Sequence, residues 1–197
     1  RGMIGSGRIS MLNHAITRVV ELNGRYWPDA LDSIKTAFAH DTKGMPEEGI
    51  SALKDWLNLL SPDVTNLSER LKIIIINPPW EHEEDEEGHY IDIAAKNAEQ
   101  LAIQLSTNIQ HLVEYIPLLL LGEQKQTFVF GRRLAIESKN VDNLLEHVMV
   151  ELGHIDNPNT RFAKGLLSGI HVNSIDAWNH YLEEFLSREE LIKFYPE

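Results

Sequence analysis

Apolar residues recur along most of this chain at the three-and-four spacing of an amphipathic helix, and helix-stop signals fall between the stripes. From Ile9 the set Met11, Leu12, Ala15, Ile16, Val19, Val20 and Leu22 keeps that spacing, with Gly24 where a C-cap belongs. Pro28 suits the first turn of a second helix carrying Leu31, Ile34, Ala37 and Phe38, which ends near His40-Asp41. Met45-Pro46-Glu47-Glu48 opens a third, with acids where the helix dipole favours them and an apolar stripe of Ile50, Leu53, Trp56, Leu57 and Leu60. Asn66-Leu67-Ser68-Glu69 has the spacing of a capping box, so a helix is predicted from Leu67 through Ile73-Ile74-Ile75-Ile76 to Asn77. Tyr90 to Leu105 reads as a long alanine-rich helix, Ser106-Thr107-Asn108 as a break, and Ile109 to Leu120 as a further helix that Pro117 is expected to kink.

The last third holds an internal repeat. A shift of 34 residues superposes Phe128 on Phe162, Gly131 on Gly165, Ala135 on Gly169, Val141 on Ile175, Asp142 on Asp176, Leu144 on Trp178, Val148 on Leu182 and Leu152 on Leu186. Each copy, over 125–156 and 159–190, fits two helices and a short turn. The small residues Gly131/Gly165 and Ala135/Gly169 stand four apart on one helical face and predict close approach of a neighbouring helix. This period is typical of helix-turn-helix solenoids, in which each hairpin hides its apolar face against the next. The predicted fold is therefore all-α: roughly ten helices in antiparallel hairpins stacked as a short right-handed α-solenoid of the HEAT or tetratricopeptide (TPR) kind. It is expected to form a single domain over 1–197, read as a piece of something larger from the fragment-like ends.

Composition narrows the partners. With 43% hydrophobic residues the chain can bury a core, and its formal net charge of -12 argues against a nucleic-acid backbone or an anionic membrane as partner. No apolar run approaches the roughly 20 residues that span a bilayer, and without cysteine there is no disulfide or thiolate metal site; the cytoplasm is the simplest compartment.

Two stretches carry candidate chemistry. Asn77-Pro78-Pro79-Trp80 after an aliphatic run resembles the catalytic motif of the adenine-N6 and related amino-methyltransferases. That resemblance implies that Asn77 holds a target amine and Trp80 stacks on the base, with Gly5-Ser6-Gly7 as the S-adenosylmethionine loop. Such a site needs parallel strands around it, and only Met3-Ile4 precede those glycines, while nothing between Gly7 and Lys72 reads as strand. The competing expectation makes Pro78-Pro79 a helix terminator and Trp80 a packing anchor. Behind it, Glu81 to His89 lacks the alternation and glycine placement of a calcium loop and the second histidine of a zinc-protease helix. It reads as a solvated acidic loop able to meet a basic partner, so Trp80, Glu83, Glu84, Asp85, Glu86 and Glu87 are the candidate contact residues. The nine histidines stand in no nucleophile motif. No catalytic residue, cofactor or metal site is expected.

Trp27-Pro28-Asp29-Ala30-Leu31-Asp32-Ser33-Ile34, Gly44-Met45-Pro46, Leu67-Ser68-Glu69-Arg70-Leu71 running into Asn77-Pro78-Pro79-Trp80, Ala94 to Ala102 and Phe162 to Gly169 together resemble the helical-repeat regions of large bacterial multidomain proteins. In these the repeats follow a nucleotide-hydrolysing module of the STAND-like type or another effector, and several resemble antiphage defence systems. The resemblance implies a non-catalytic interaction or sensor scaffold whose partner is a protein or a neighbouring domain of the same chain, with the catalytic domain elsewhere.

Overall fold

The computed structural model describes residues 6–23, 27–61, 63–79, 82–84 and 87–194, and these are mostly helical. The chain divides into two compact units, Arg1–Ile73 and Ile74–Glu197.

The first unit contains α1 (Ser6–Asn23), α2 (Pro28–His40), α3 (Glu47–Leu60) and α4 (Leu67–Leu71). α2 begins at Pro28 and ends where the Asp41 N–H reaches the Ala37 carbonyl, and α3 carries Glu47 and Glu48 in its first turn. Ile9, Ile16, Leu31, Ile34, Leu53, Trp56 and Leu60 close over one another as its core. The one polar atom of the Trp56 ring is spent inside that packing, since the indole N–H donates to Asn13 Oδ1. Met11 and Leu22, expected on the apolar face of α1, are instead 74% and 66% exposed. The side chain of Asn66 caps α4 by accepting from the Glu69 N–H at 3.3 Å. The return arm of the expected capping box goes elsewhere: the Glu69 carboxylate accepts from the Asp63 N–H, tying down the loop before the helix. Gly24, the expected C-cap of α1, lies outside the described residues.

The isoleucine run is helical, as expected, but Lys72–Ile76 winds as a π-helical turn following directly on α4. A π turn is in effect an α-helix with one residue too many, and it sets backbone carbonyls off the regular ladder. In the second unit those of Ile75 and Ile76 accept from the N–H groups of Gln126 and Lys125 at 2.9 and 3.0 Å. Pro78 is buried and Pro79 exposed after the turn, where prolines cannot continue a helix.

Beyond it come β1 (His82–Glu84), β2 (Tyr90–Asp92), α5 (Ile93–Leu105), a 3-10 stretch over Ser106–Tyr115, α6 (Ile116–Leu120), α7 (Thr127–Glu137), α8 (Val141–His154), α9 (Arg161–Asn173) and α10 (Ile175–Ser187). The two strands form an antiparallel hairpin where a loop was expected, with Glu83 opposite Ile91. The predicted break after α5 is real and sits at Asn108, whose backbone is non-helical. Pro117 kinks nothing. It lies in the first turn of α6, where its missing N–H leaves no hydrogen bond unmade.

Each repeat copy holds the two expected helices, α7 then α8 and α9 then α10; α10 packs on α9, whereas α8 packs mainly on α9, α6 and the Ser106–Tyr115 stretch. A third copy of the first helix was not apparent in the sequence: α5, α7 and α9 begin at Ile93, Thr127 and Arg161, 34 residues apart each time. The small residues do admit a close neighbour, and that neighbour is the equivalent helix of the other copy. A Cβ on Gly131 would stand 2.8 Å from the Phe162 carbonyl oxygen and 3.2 Å from the Leu166 nitrogen, while one on Gly165 would strike the Phe128 carbonyl and the Arg132 nitrogen. Exchanging the two copies turns the first contact into the second, so the interface is reciprocal, the hallmark of a local two-fold relation. The predicted solenoid stacks copies head to tail, which would point Gly131 and Gly165 in the same direction rather than at each other. For this pair the packing is face to face. Phe130 and Phe162 stack beside it at 5.9 Å, and Asn173 Nδ2 donates to the carbonyls of Ala135 and Ile136, fastening the end of α9 to the end of α7.

Candidate functional site

The acidic segment is held by a helix N-terminus. Asp92 ends β2 and caps α5, one carboxylate oxygen accepting the Ala95 N–H at 3.0 Å and the other reached by Gln126 Nε2 at 3.4 Å. Asp92 thus joins the hairpin to α5 and to the entry of α7, while its register partner is His82. Gly88 turns the chain with φ +80, a conformation that costs a residue with a Cβ appreciably more. The result projects charge from a fixed base.

Of the six expected contact residues, Glu84 and Glu87 are exposed, and Glu87 pairs with His89 Nδ1 at 3.6 Å. Glu83 is placed in β1 by its backbone. Trp80, Asp85 and Glu86 lie outside the described residues, so the expected anchoring role of Trp80 does too. Tyr90, next to these acids on the opposite strand, is 57% exposed and adds an aromatic surface that the sequence reading left out. Tyr90 and Ile91 are strand-favouring residue types, but the helical spacing that continues from Tyr90 takes them into the predicted helix. Among the described residues no three His, Asp or Glu side chains are grouped to hold a metal ion.

The methyltransferase-like residues have a different setting. Ser6 and Gly7 lie inside α1, Gly5 lies outside the described residues, and Asn77 follows a π turn rather than a strand. The sheet among the described residues is the two-stranded antiparallel hairpin, whereas that enzyme class builds its site at the ends of parallel strands.

A second polar cluster links α8 to α10 and was not foreseen. Tyr181, 9% exposed, donates to Asp142 Oδ1 at 2.7 Å. Burial first, and then this hydrogen bond and the Asp142 charge, push the phenol well above its ordinary value, so it stays neutral and serves as a fixed donor. Beside it one Arg188 nitrogen donates to both carboxylate oxygens of Glu146, at 2.8 and 3.0 Å, and to Glu184, and its guanidinium is pushed further up chiefly by the Glu146 bond. Both pairings cross from α8 to α10 and its C-cap residue, which makes this a clasp.

No family model, curated protein or solved structure matches the chain. No helix among the described residues is long and apolar enough to cross a membrane.

Proposed function

We propose that this chain is a non-catalytic protein-interaction module, with the acidic hairpin at His82 to Asp92 as a contact surface for a basic protein partner or a neighbouring domain of the same chain. The observation that carries this reading is the anchoring of the hairpin. Asp92 fixes the charged turn to two helices, so binding there acts on the packed helical unit rather than on a loose loop. A partner that favours one arrangement of that unit changes the free energy of whatever is attached to it, and this needs no reacting group. The net charge of -12 favours encounter with basic surfaces over acidic ones. The resemblance to repeat regions of bacterial STAND-like and defence proteins makes an adjoining effector domain the first partner to test. This reading needs only the packed helical unit and does not require its helices to stack as an α-solenoid.

Photo-crosslinking from position 84 in the native host identifies the partner. Charge reversal at Glu84 and Glu87 to Lys is expected to weaken its binding about tenfold and to reduce its salt dependence. Unchanged binding overturns the assignment of the hairpin. S-adenosylmethionine is expected to leave the melting temperature unmoved; a rise that Asn77→Ala abolishes would favour the methyltransferase reading instead.

A further inference from the structure

We propose that the outer stripe of α10, formed by Ile175, Trp178, Leu182 and Leu186, binds a basic amphipathic helix of a protein partner. This rests on the interaction-module reading and adds a second site to it, chemically different from the hairpin. The four positions fall at helical spacing on one face. Ile175 and Leu186 are 58% and 49% exposed, and Trp178 and Leu182 are half-buried. The His171 ring meets the Trp178 indole edge-on at 5.0 Å and steadies it.

The repeat shows what such a face takes. The equivalent residues of α8 are Val141, Leu144, Val148 and Leu152, and each of them is 8% exposed or less. α8 packs against the Ser106–Tyr115 stretch, α6 and α9, whereas α10 packs on α9 and the short turn Ile192–Phe194 and meets α8 through the Tyr181 and Arg188 side chains. The 3-10 stretch and α6 supply Ile109, Leu112, Ile116 and Leu119, all buried, at intervals of three and four. By the 34-residue repeat the stripe of α10 is the sequence counterpart of this buried face of α8, and among the described residues it is left partly open, with Ile175 and Leu186 exposed. An apolar helix of the same spacing fits it.

Charge sets the flanks of the occupant. Asp176, Glu183, Glu189 and Glu190 are exposed on α10 and the turn after it, and Arg188 is committed to Glu146 and Glu184. Lys193 lies over the Phe194 ring at 4.8 Å. A second copy of this chain would bring the same acids against these, which repel. A helix with Lys or Arg on either side of its apolar stripe meets complementary charge.

The test uses the whole chain and a synthetic leucine–lysine peptide whose leucines form one helical stripe. Titration is followed by calorimetry and by the indole resonance of Trp178, assigned from the spectrum of Trp178→Phe. Saturable one-to-one binding that shifts this resonance is expected. A scrambled peptide of the same composition and a leucine–glutamate peptide are each expected to bind about tenfold more weakly or worse, and so is the Ile175→Glu/Leu186→Glu double variant. Both substituted positions are exposed, and an acid at Ile175 suits a helix first turn, so the double variant is expected to melt as the parent does. Equal binding by the scrambled peptide or by the double variant overturns the proposal, as does absence of binding. A dimer in sedimentation that the double variant dissolves also overturns it, naming a second copy as the occupant. If the peptide fails while charge reversal at Glu84 and Glu87 still weakens a cross-linked partner, only the α10 site is lost and the hairpin reading stands.

Discussion

Gly165 and Gly153 separate two settings for a small residue on a helix. Glycine inside a helix is ordinarily the poorer choice by about 1 kcal/mol relative to alanine. At Gly165 that preference is overridden, because a Cβ would strike the backbone of Phe128 and Arg132, and neither can step aside without moving α7. Gly165→Ala is expected to destabilise by roughly 1–3 kcal/mol, a fall of about 2–4 °C in melting temperature for each. Gly153 is the control. A Cβ there meets the side chain of exposed Glu190, which can turn away, so Gly153→Ala is expected to be neutral or stabilising in the same melts. Tyr181 gives a second prediction, read by titration. Its phenol is held above the ordinary 10.0, so folding favours the protonated form. The associated stability is whole below pH 10, and it declines as pH rises past that value, where the unfolded chain ionises first. Tyr181→Phe is expected to lower the urea midpoint at neutral pH by about 1 kcal/mol equivalent and to remove this alkaline decline. Parallel curves for the two proteins above pH 10 would show that neither burial nor the Asp142 bond raises the phenol.

Among the elements, the hairpin depends on a cap it shares with α5. Asp92→Ala is expected to cost about 1 kcal/mol and to speed amide exchange across 82–92 and the first turn of α5 together; acceleration confined to the hairpin would mean the cap is not shared. The helices were legible where their ends were marked: Pro28, the acids of Glu47-Glu48 and the Asn66 cap all act at the places their chemistry suggests. Where the signal was ambiguous, the structure chose. Four isoleucines in a row carry no mark of their winding, so they predict a helix without revealing a π turn, which is fixed by the N–H groups of Lys125 and Gln126 far along the chain. His82-Glu83-Glu84 has little β propensity, and its strand forms because Tyr90-Ile91-Asp92 pairs with it. α5 shows no likeness to the later copies in sequence because Asn97 and Leu101 stand where they have Gly or Ala. The glycine face itself was readable, and so was the closeness it allows. Its direction was not, because a period in sequence is the same for head-to-tail and for face-to-face neighbours. The α10 stripe was visible as apolar spacing, but its exposure depends on what covers α8 and leaves α10 open.

For the whole molecule, an excess of 30 acidic over 18 basic residues sets a background of self-repulsion, since the compact state draws like charges together. Raising the salt concentration from about 0.01 to about 0.15 M, over which the screening length shortens from about 30 to about 8 Å, is expected to raise the melting temperature. A fall would mean that pairs such as Arg188 with Glu146 outweigh the repulsion. The even spacing of α5, α7 and α9 has a consequence in time. Each helix begins 34 residues after the last, so docking α7 on α5 and then α9 on α7 closes two loops of the same moderate length, and neither waits on a distant part of the chain. The second unit is thereby expected to assemble by successive local closures, at the fast end of folding rates for its size. Gly165→Ala, which obstructs the second closure alone, is expected to slow refolding if α9 is docked in the transition state, and otherwise to speed unfolding.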